Sequence, residues 1–117
     1  MNIREMLDNI PGAVENLDIE KSLDLRDVPE FDSEWMRLYN LVEQRKNEGG
    51  DSGAELDDIC EMAYMKAFDT REDDELAAYV SDDFGLMYDA ETLGISDPWL
   101  DKLIDCYRRS VFPCGKI

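Results

Sequence analysis

Apolar side chains recur every three to four residues along most of this sequence, which is the spacing of an α-helix that packs on one side. Such a stripe over residues 33–47 predicts a helix that begins at Asp32 or Ser33, both of which are good capping residues. A second stripe predicts a helix over residues 54–68. The glycine-rich run at residues 49–53 separates the two stripes and predicts a flexible connection.

Further helical segments are predicted in the C-terminal part. An apolar face over residues 76–93 fits either one bent helix or two short helices, the second of which begins at Ser81. The last helix has the clearest start, because Asp97 can cap it and Pro98 suits the first helical position. Pro113 predicts its end, since proline does not continue a helix.

Residues 1–31 are less regular. A short helix is predicted over residues 3–9, and Pro11 and Gly12 then predict a break. Between residues 14 and 28 the apolar positions have mixed spacing, which fits a short strand, a loop or one helical turn.

Residues 1–117 are therefore predicted to form a single all-α domain, a small bundle of four to five helices with an irregular N-terminal segment. A length of 117 residues matches one domain, and a hydrophobic fraction of 44% is enough for one core.

The charge balance excludes several functions. With 29 acidic and 12 basic residues the formal net charge is −17, and a field of that sign opposes binding to DNA, RNA or anionic lipid. The sequence contains no histidine, so it lacks the usual general base and the usual zinc ligand. We therefore expect no enzymatic activity, no metal or cofactor, and no direct nucleic-acid or membrane partner.

The N-terminus and the cysteines indicate a cytoplasmic protein. The first five residues include two charges and lack the apolar stretch of about 7–15 residues that a secretory signal requires. No apolar run approaches the roughly 18 residues of a membrane span. Cys60, Cys106 and Cys114 are an odd set without C-x-x-C spacing, which predicts reduced thiols rather than disulfides or a zinc site.

The acids are concentrated in one part of the sequence. Residues 51–105 contain 17 acidic and three basic residues, and so carry −14 of the net charge of −17. Any single acid has an ordinary explanation, because acids favour helix N-termini and charged surfaces keep proteins soluble. The excess as a whole is larger than the magnitude of about 2–8 that solubility needs. It favours a partner with a strongly positive surface, such as a nuclease.

The candidate partner-binding residues are acids of this segment together with two tyrosines. They are Asp57, Asp58, Glu61, Tyr64, Asp69, Glu72, Asp73, Asp74, Glu75, Asp82, Asp83, Tyr88 and Asp89. The acids are expected to speed association, and the aromatic side chains to supply affinity. Tyr79 and Trp99 are further candidates for aromatic anchors. All four aromatic residues lie on or beside an apolar helical stripe, which also predicts the alternative that they belong to the core.

The C-terminal part resembles a known class of proteins. The resemblance rests on Tyr79-Val80-Ser81-Asp82-Asp83-Phe84-Gly85-Leu86-Met87, followed by Asp97-Pro98-Trp99-Leu100, Leu103, Tyr107 and Phe112-Pro113. Over roughly residues 72–113 the sequence is similar to small acidic immunity proteins of bacterial toxin–immunity loci, including contact-dependent growth inhibition systems. The resemblance implies a cytoplasmic protein that binds one cognate toxin domain, often a nuclease, and blocks its active site or substrate groove without a cofactor.

Three hypotheses follow for the function. The leading one is an immunity protein that neutralises a cationic toxin domain. A DNA-mimic inhibitor of restriction or other DNA-binding proteins fits the same negative field and is expected to inhibit several of them. The third hypothesis is an acidic regulatory adaptor domain, which is expected to inhibit neither a toxin nor DNA-binding proteins. The oligomeric state is left open.

Overall fold

The computed structural model describes residues 3–50 and 53–117, and within these residues every regular element is a helix. In chain order they are α1 (Ile3–Met6), a 3-10 turn (Leu7–Asn9), α2 (Ile10–Val14), α3 (Ile19–Asp24), α4 (Pro29–Asn47), α5 (Leu56–Arg71), α6 (Asp74–Thr92) and α7 (Pro98–Arg108). The predicted all-α class is confirmed, and the four longest helices, α4 to α7, agree with the predicted four to five. The predicted flexible connection at residues 49–53 includes residues 51 and 52, which lie outside the described residues.

Helix α4 begins earlier than the sequence predicted. Pro29 is its first residue and follows Val28, which is in an extended conformation. Proline suits this position because its ring presets the helical φ and the first turn needs no N–H from it. Asp32 and Ser33 therefore lie inside the helix, and the prediction that one of them is the cap is wrong. The predicted end at residue 47 is confirmed.

Helix α6 is one continuous helix rather than two. Its cap is Asp73, whose side chain accepts a hydrogen bond from the N–H of Leu76 at 2.8 Å. Ser81, the cap in the two-helix alternative, instead donates its hydroxyl hydrogen to the carbonyl oxygen of Cys60 in α5 at 2.9 Å. Ser81 therefore joins α6 to α5.

Gly85 lets α6 pass close to α5. A Cβ atom at this position would lie 2.9 Å from Sγ of Cys60, closer than atoms that are not bonded normally approach. Because α5 packs tightly on one side and other helices cover the rest, most residues of α6 after Asp82 are buried. Helix α6 is consequently the main contributor to the core.

The N-terminal region is helical as well. The helix predicted over residues 3–9 is observed as α1 and the 3-10 turn that follows it. Pro11 and Gly12 lie within α2, because a proline in the first turn needs no N–H donor, so the predicted break is wrong. Of the alternatives for residues 14–28, the helical one is observed as α3, and Asp18 caps it.

Helix α7 starts as predicted and stops early. Asp97 accepts hydrogen bonds from the N–H groups of Trp99 and Leu100 at 2.9 and 3.1 Å. The chain then turns at Ser110, whose φ is +57°, so the helix is over before the predicted end at Pro113. Buried apolar residues of α1, α2 and α4 to α7 form one continuous core, and partly buried residues of α3 pack against it.

Candidate partner-binding site

Eight of the predicted partner-binding acids are exposed along α5, along α6 and in the turn between them. They are here named the α5–α6 acids: Asp57, Asp58, Glu61, Asp69, Glu72, Asp74, Glu75 and Asp82. Within residues 3–50 and 53–117, none of them forms a salt bridge. Their negative charges are therefore not balanced by a neighbouring basic side chain.

The two basic residues of α5 and α6 are directed at the N-terminal region. Nζ of Lys66 lies 3.4 Å from Oδ1 of Asp8. Arg71 donates hydrogen bonds to the carbonyl oxygens of Val14 and Leu17 at 2.7 and 2.8 Å. The N-terminal helices thus take up the positive charges of this part of the chain, and the α5–α6 acids remain uncompensated.

Tyr64 lies beside these acids, half-buried on α5. Its hydroxyl donates a hydrogen bond to Oδ1 of Asp74 at 2.7 Å, and its ring stacks on Phe68 with ring centres 6.1 Å apart. The hydrogen bond to the carboxylate is the main reason that the pKa of Tyr64 is raised. Asp73, which is partly exposed, serves as the cap of α6. Tyr64 therefore offers an aromatic surface next to exposed carboxylates.

Tyr88 lies far from Tyr64. Asp74, the hydrogen-bond partner of Tyr64, and Tyr88 are both in α6 and are separated by about 21 Å along the helix axis. Tyr88 lines a separate cavity of about 390 Å³ beside Arg4 and Glu55, which form an ion pair at 2.7 Å. The structure therefore does not bring the two predicted tyrosine anchors together.

Two of the predicted partner-binding acids are buried, and this corrects their assignment to the surface. Asp83 is 0% exposed and Asp89 is 7% exposed. Oδ2 of Asp89 lies 2.9 Å from Nζ of Lys46 in α4. The candidate anchor Trp99 is also buried, where its ring packs edge-on against Phe31 with centres 5.2 Å apart. The assignments of Asp83 and Asp89 to the surface failed because burial depends on which helices cover α6, whereas for Trp99 the core alternative is observed.

Asp83 is the centre of a buried polar network. Its carboxylate accepts a hydrogen bond from each terminal nitrogen of Arg26, both at 2.7 Å. Nε1 of Trp35 and the hydroxyl of Tyr107 donate to the same carboxylate at 2.9 and 2.6 Å. Burial lowers the pKa of Arg26, but the charge of Asp83, the hydrogen bonds to it and the nearby tyrosines together outweigh this effect, and the pKa is raised overall. Burial, together with the Asp83 charge, holds the pKa of Tyr107 well above its usual value.

The structure also shows a feature that the sequence did not indicate, a pair of adjoining open cavities between α4 and α6. These α4–α6 cavities share Trp35 and Asp82; the first also includes Met36 and the second Tyr39. The rings of Trp35 and Tyr39 stack with centres 5.8 Å apart, and Tyr39 is 40% exposed. The apolar spacing over residues 33–47 predicts that both rings lie on the stripe that faces the core. In the structure they are partly open to solvent because of the way α4 packs on α6.

The α4–α6 cavities are small and acidic. Their volumes are about 170 and 210 Å³. Small-molecule sites usually measure about 300–1,000 Å³, so each cavity suits a single side chain of a partner better than a cofactor. Partial burial, with the charge of Asp83 as a second cause, raises the pKa of Asp82 between them. Among residues 3–50 and 53–117, no group of three or more histidine, cysteine or acidic side chains is placed to hold a metal ion.

The helical fold and the exposed, uncompensated carboxylates agree with the class that the C-terminal sequence resembles, the small acidic immunity proteins. Residues 2–114 match the family described as Immunity protein PIM1. Because the match covers nearly the whole chain, the chain belongs to this immunity protein family, and the resemblance is confirmed. A search among curated proteins gives no match. Family membership implies a toxin as the partner.

In the part of the chain that the structure describes, no helix is both long enough and apolar enough to cross a bilayer.

Proposed function

We propose that this protein acts in the bacterial cytoplasm as the immunity partner of a toxin domain with a basic surface, a nuclease of a contact-dependent growth inhibition system. It neutralises the toxin by binding, with no catalytic step and no cofactor. The observation that supports the proposal most strongly is the set of α5–α6 acids, which are exposed and form no salt bridge within the described residues.

Electrostatics gives a reason why such a surface suits a nuclease. A nuclease presents basic residues where the phosphate backbone binds, and these attract carboxylates over about one Debye length, roughly 8 Å at physiological ionic strength. The attraction raises the association rate and orients the two proteins. Once bound, the immunity protein covers the positive charges that the nucleic acid needs, so the substrate groove or the active site is blocked.

Co-expression in bacteria with the toxin domain of the adjacent reading frame tests this function. We expect cells that make both proteins to grow, and the purified toxin domain to lose nuclease activity when this protein is added. Toxicity that persists when both proteins are present contradicts the immunity function. Protection against a toxin domain that has no nuclease activity contradicts the nuclease assignment alone.

Unrelated DNA-binding proteins provide the control. An immunity protein should leave a restriction enzyme and a repressor fully active at concentrations that silence the cognate toxin. Inhibition of all of them indicates a DNA mimic instead. Inhibition of none, including the toxin, indicates an acidic adaptor domain.

A further inference from the structure

The first of the α4–α6 cavities carries an excess of negative charge. Asp27, Asp32 and Asp82 line it, and no salt bridge involves any of them within residues 3–50 and 53–117. The basic residue in its wall, Arg26, is already bound to Asp83 through two hydrogen bonds of 2.7 Å. Three carboxylates therefore remain available to a positive group from outside the chain.

Aromatic rings form the other walls of this cavity. Phe31, Trp35 and Tyr79 all line it. The guanidinium of Arg26 shows how such rings receive a cation, because it lies 4.3 Å from the ring centre of Phe31 and 5.0 Å from that of Tyr79. A planar guanidinium can stack on a ring and donate two parallel hydrogen bonds to one carboxylate, whereas the compact ammonium of lysine lacks this planar fork. Rings beside carboxylates thus favour arginine.

The second cavity contains an unused acceptor. Asp89 is 7% exposed and lines this cavity, and its Oδ2 binds Lys46. Its buried Oδ1 has no hydrogen-bond partner among the residues that the structure describes. Buried carboxylate oxygens are normally hydrogen-bonded, so this one points to a donor supplied from outside the chain.

We propose that the α4–α6 cavities are the anchoring site for the toxin, and that the first cavity receives an arginine side chain of the toxin domain. This inference rests on the function proposed above. The guanidinium packs against the partly exposed rings of Trp35 and Tyr79 and pairs with the carboxylates, while adjacent toxin residues pack on Met36 and Tyr39, which are 43% and 40% exposed. The α5–α6 acids other than Asp82 act mainly before contact, on the association rate. The anchoring site acts in the complex, on the dissociation rate.

A triple variant, Asp27→Asn with Asp32→Asn and Asp82→Asn, tests the site because it removes three charges and keeps the size of the side chains. Its binding to the immobilised toxin domain of the adjacent reading frame is followed by surface plasmon resonance. We expect the dissociation rate constant to rise about 30-fold or more, the change that accompanies loss of an interface hot spot. Equilibrium unfolding of the variant should match that of its control.

The control changes three exposed acids outside the cavities, as Glu15→Gln with Asp24→Asn and Asp101→Asn. Both variants lose the same charge, and each changes one acid in the first turn of a helix, Asp32 in α4 or Asp101 in α7. The control should dissociate from the toxin at the wild-type rate. Equal dissociation rates of the two variants overturn the proposal.

Replacement of the surface arginines of the toxin by alanine, one at a time, identifies the occupant. One replacement should accelerate dissociation of the toxin from the wild-type protein. The same replacement should not further accelerate dissociation from the triple variant. If no arginine behaves in this way, arginine is not the occupant.

The wild-type protein distinguishes a failure of this inference from a failure of the proposed function. If the wild-type protein protects cells while the triple variant dissociates from the toxin as slowly as the control variant does, the proposed anchoring site is wrong and the immunity function stands. If the wild-type protein neither binds the toxin nor protects cells, both proposals are wrong.

Discussion

Arg26 and Asp83 form a buried ion pair in which each terminal nitrogen of the guanidinium lies 2.7 Å from a different oxygen of the carboxylate. The pair joins the segment after α3 to the middle of α6, 57 residues further along the chain. Arg26 also donates to the carbonyl oxygen of Pro113 at 3.2 Å, which brings the C-terminal segment to the same point. The Arg26–Asp83 pair therefore holds three parts of the fold together.

Replacing Asp83 with alanine should lower the free energy of unfolding by about 3–5 kcal/mol, because Arg26 keeps a buried charge without its partner. The neighbouring Asp82 is exposed, and Asp82→Ala should change the same quantity by at most about 0.5 kcal/mol. Urea unfolding followed by circular dichroism measures both. A loss below about 1 kcal/mol for Asp83→Ala would show that the fold does not depend on the pair.

Tyr107 should make the stability depend on alkaline pH. Its pKa is raised in the folded state, so its contribution is complete below the usual tyrosine pKa of about 10 and is lost as pH rises above it, because the unfolded chain ionises first. Tyr107→Phe removes a hydrogen bond to a carboxylate and should cost about 1.5–3 kcal/mol at neutral pH. Urea titrations should show this difference from the wild type narrowing above about pH 10. A difference that is constant with pH argues against the assigned shift.

Asp97 should make the stability depend on acidic pH. Its pKa is lowered, first by hydrogen bonds from Arg37, so its stabilisation is complete above the usual aspartate pKa of about 3.9 and is lost as pH falls through the lower folded value. Asp97→Asn keeps a good helix cap and removes the charge. The variant should be less stable than the wild type at neutral pH, by no more than about 1 kcal/mol because Arg37 is largely exposed. Urea titrations toward about pH 3 should show the two proteins converging; parallel curves contradict the prediction.

Charge reversal of the α5–α6 acids should slow toxin association. The variant with Glu61→Lys, Asp69→Lys and Glu75→Lys changes three exposed residues that have no salt bridge within the described residues. We expect its association rate constant to fall about tenfold or more at low salt and the effect to shrink as salt is added, since screening removes steering. Stopped-flow mixing with the toxin domain measures both.

The matched control for this reversal is Glu15→Lys with Asp24→Lys and Asp101→Lys, which produces the same net charge at positions outside α5 and α6. Glu75 and Asp101 both lie in the first turn of a helix, so the loss of a favourable dipole interaction is similar in the two variants. If the control slows association as much as the test variant does, net charge alone controls the rate and the location of the acids does not.

The helices could be predicted from local signals, and the errors arose where two local signals compete. The start of α7 was found because Asp97 and Pro98 form an unambiguous pair of start signals. The start of α4 was missed because Asp32 is a better capping residue than Val28, yet Pro29 fixes the backbone three residues earlier. The N-terminal region was hard to assign because short helices contain too few turns for a period to show.

Some features of the candidate site could likewise be predicted from the sequence, and others could not. The sequence determined the sign of the charge, its concentration in one part of the chain and the identity of the exposed acids on α5. It could not separate Asp82 from Asp83, since adjacent acids have the same chemistry and differ only by about 100° around the helix. Tertiary packing made that distinction: Asp83 faces Arg26 and Tyr107 in the core, whereas Asp82 lies at the α4–α6 cavities. The sequence determines the composition of a helix. Which side of the helix packs against another helix depends on contacts between residues far apart in the chain.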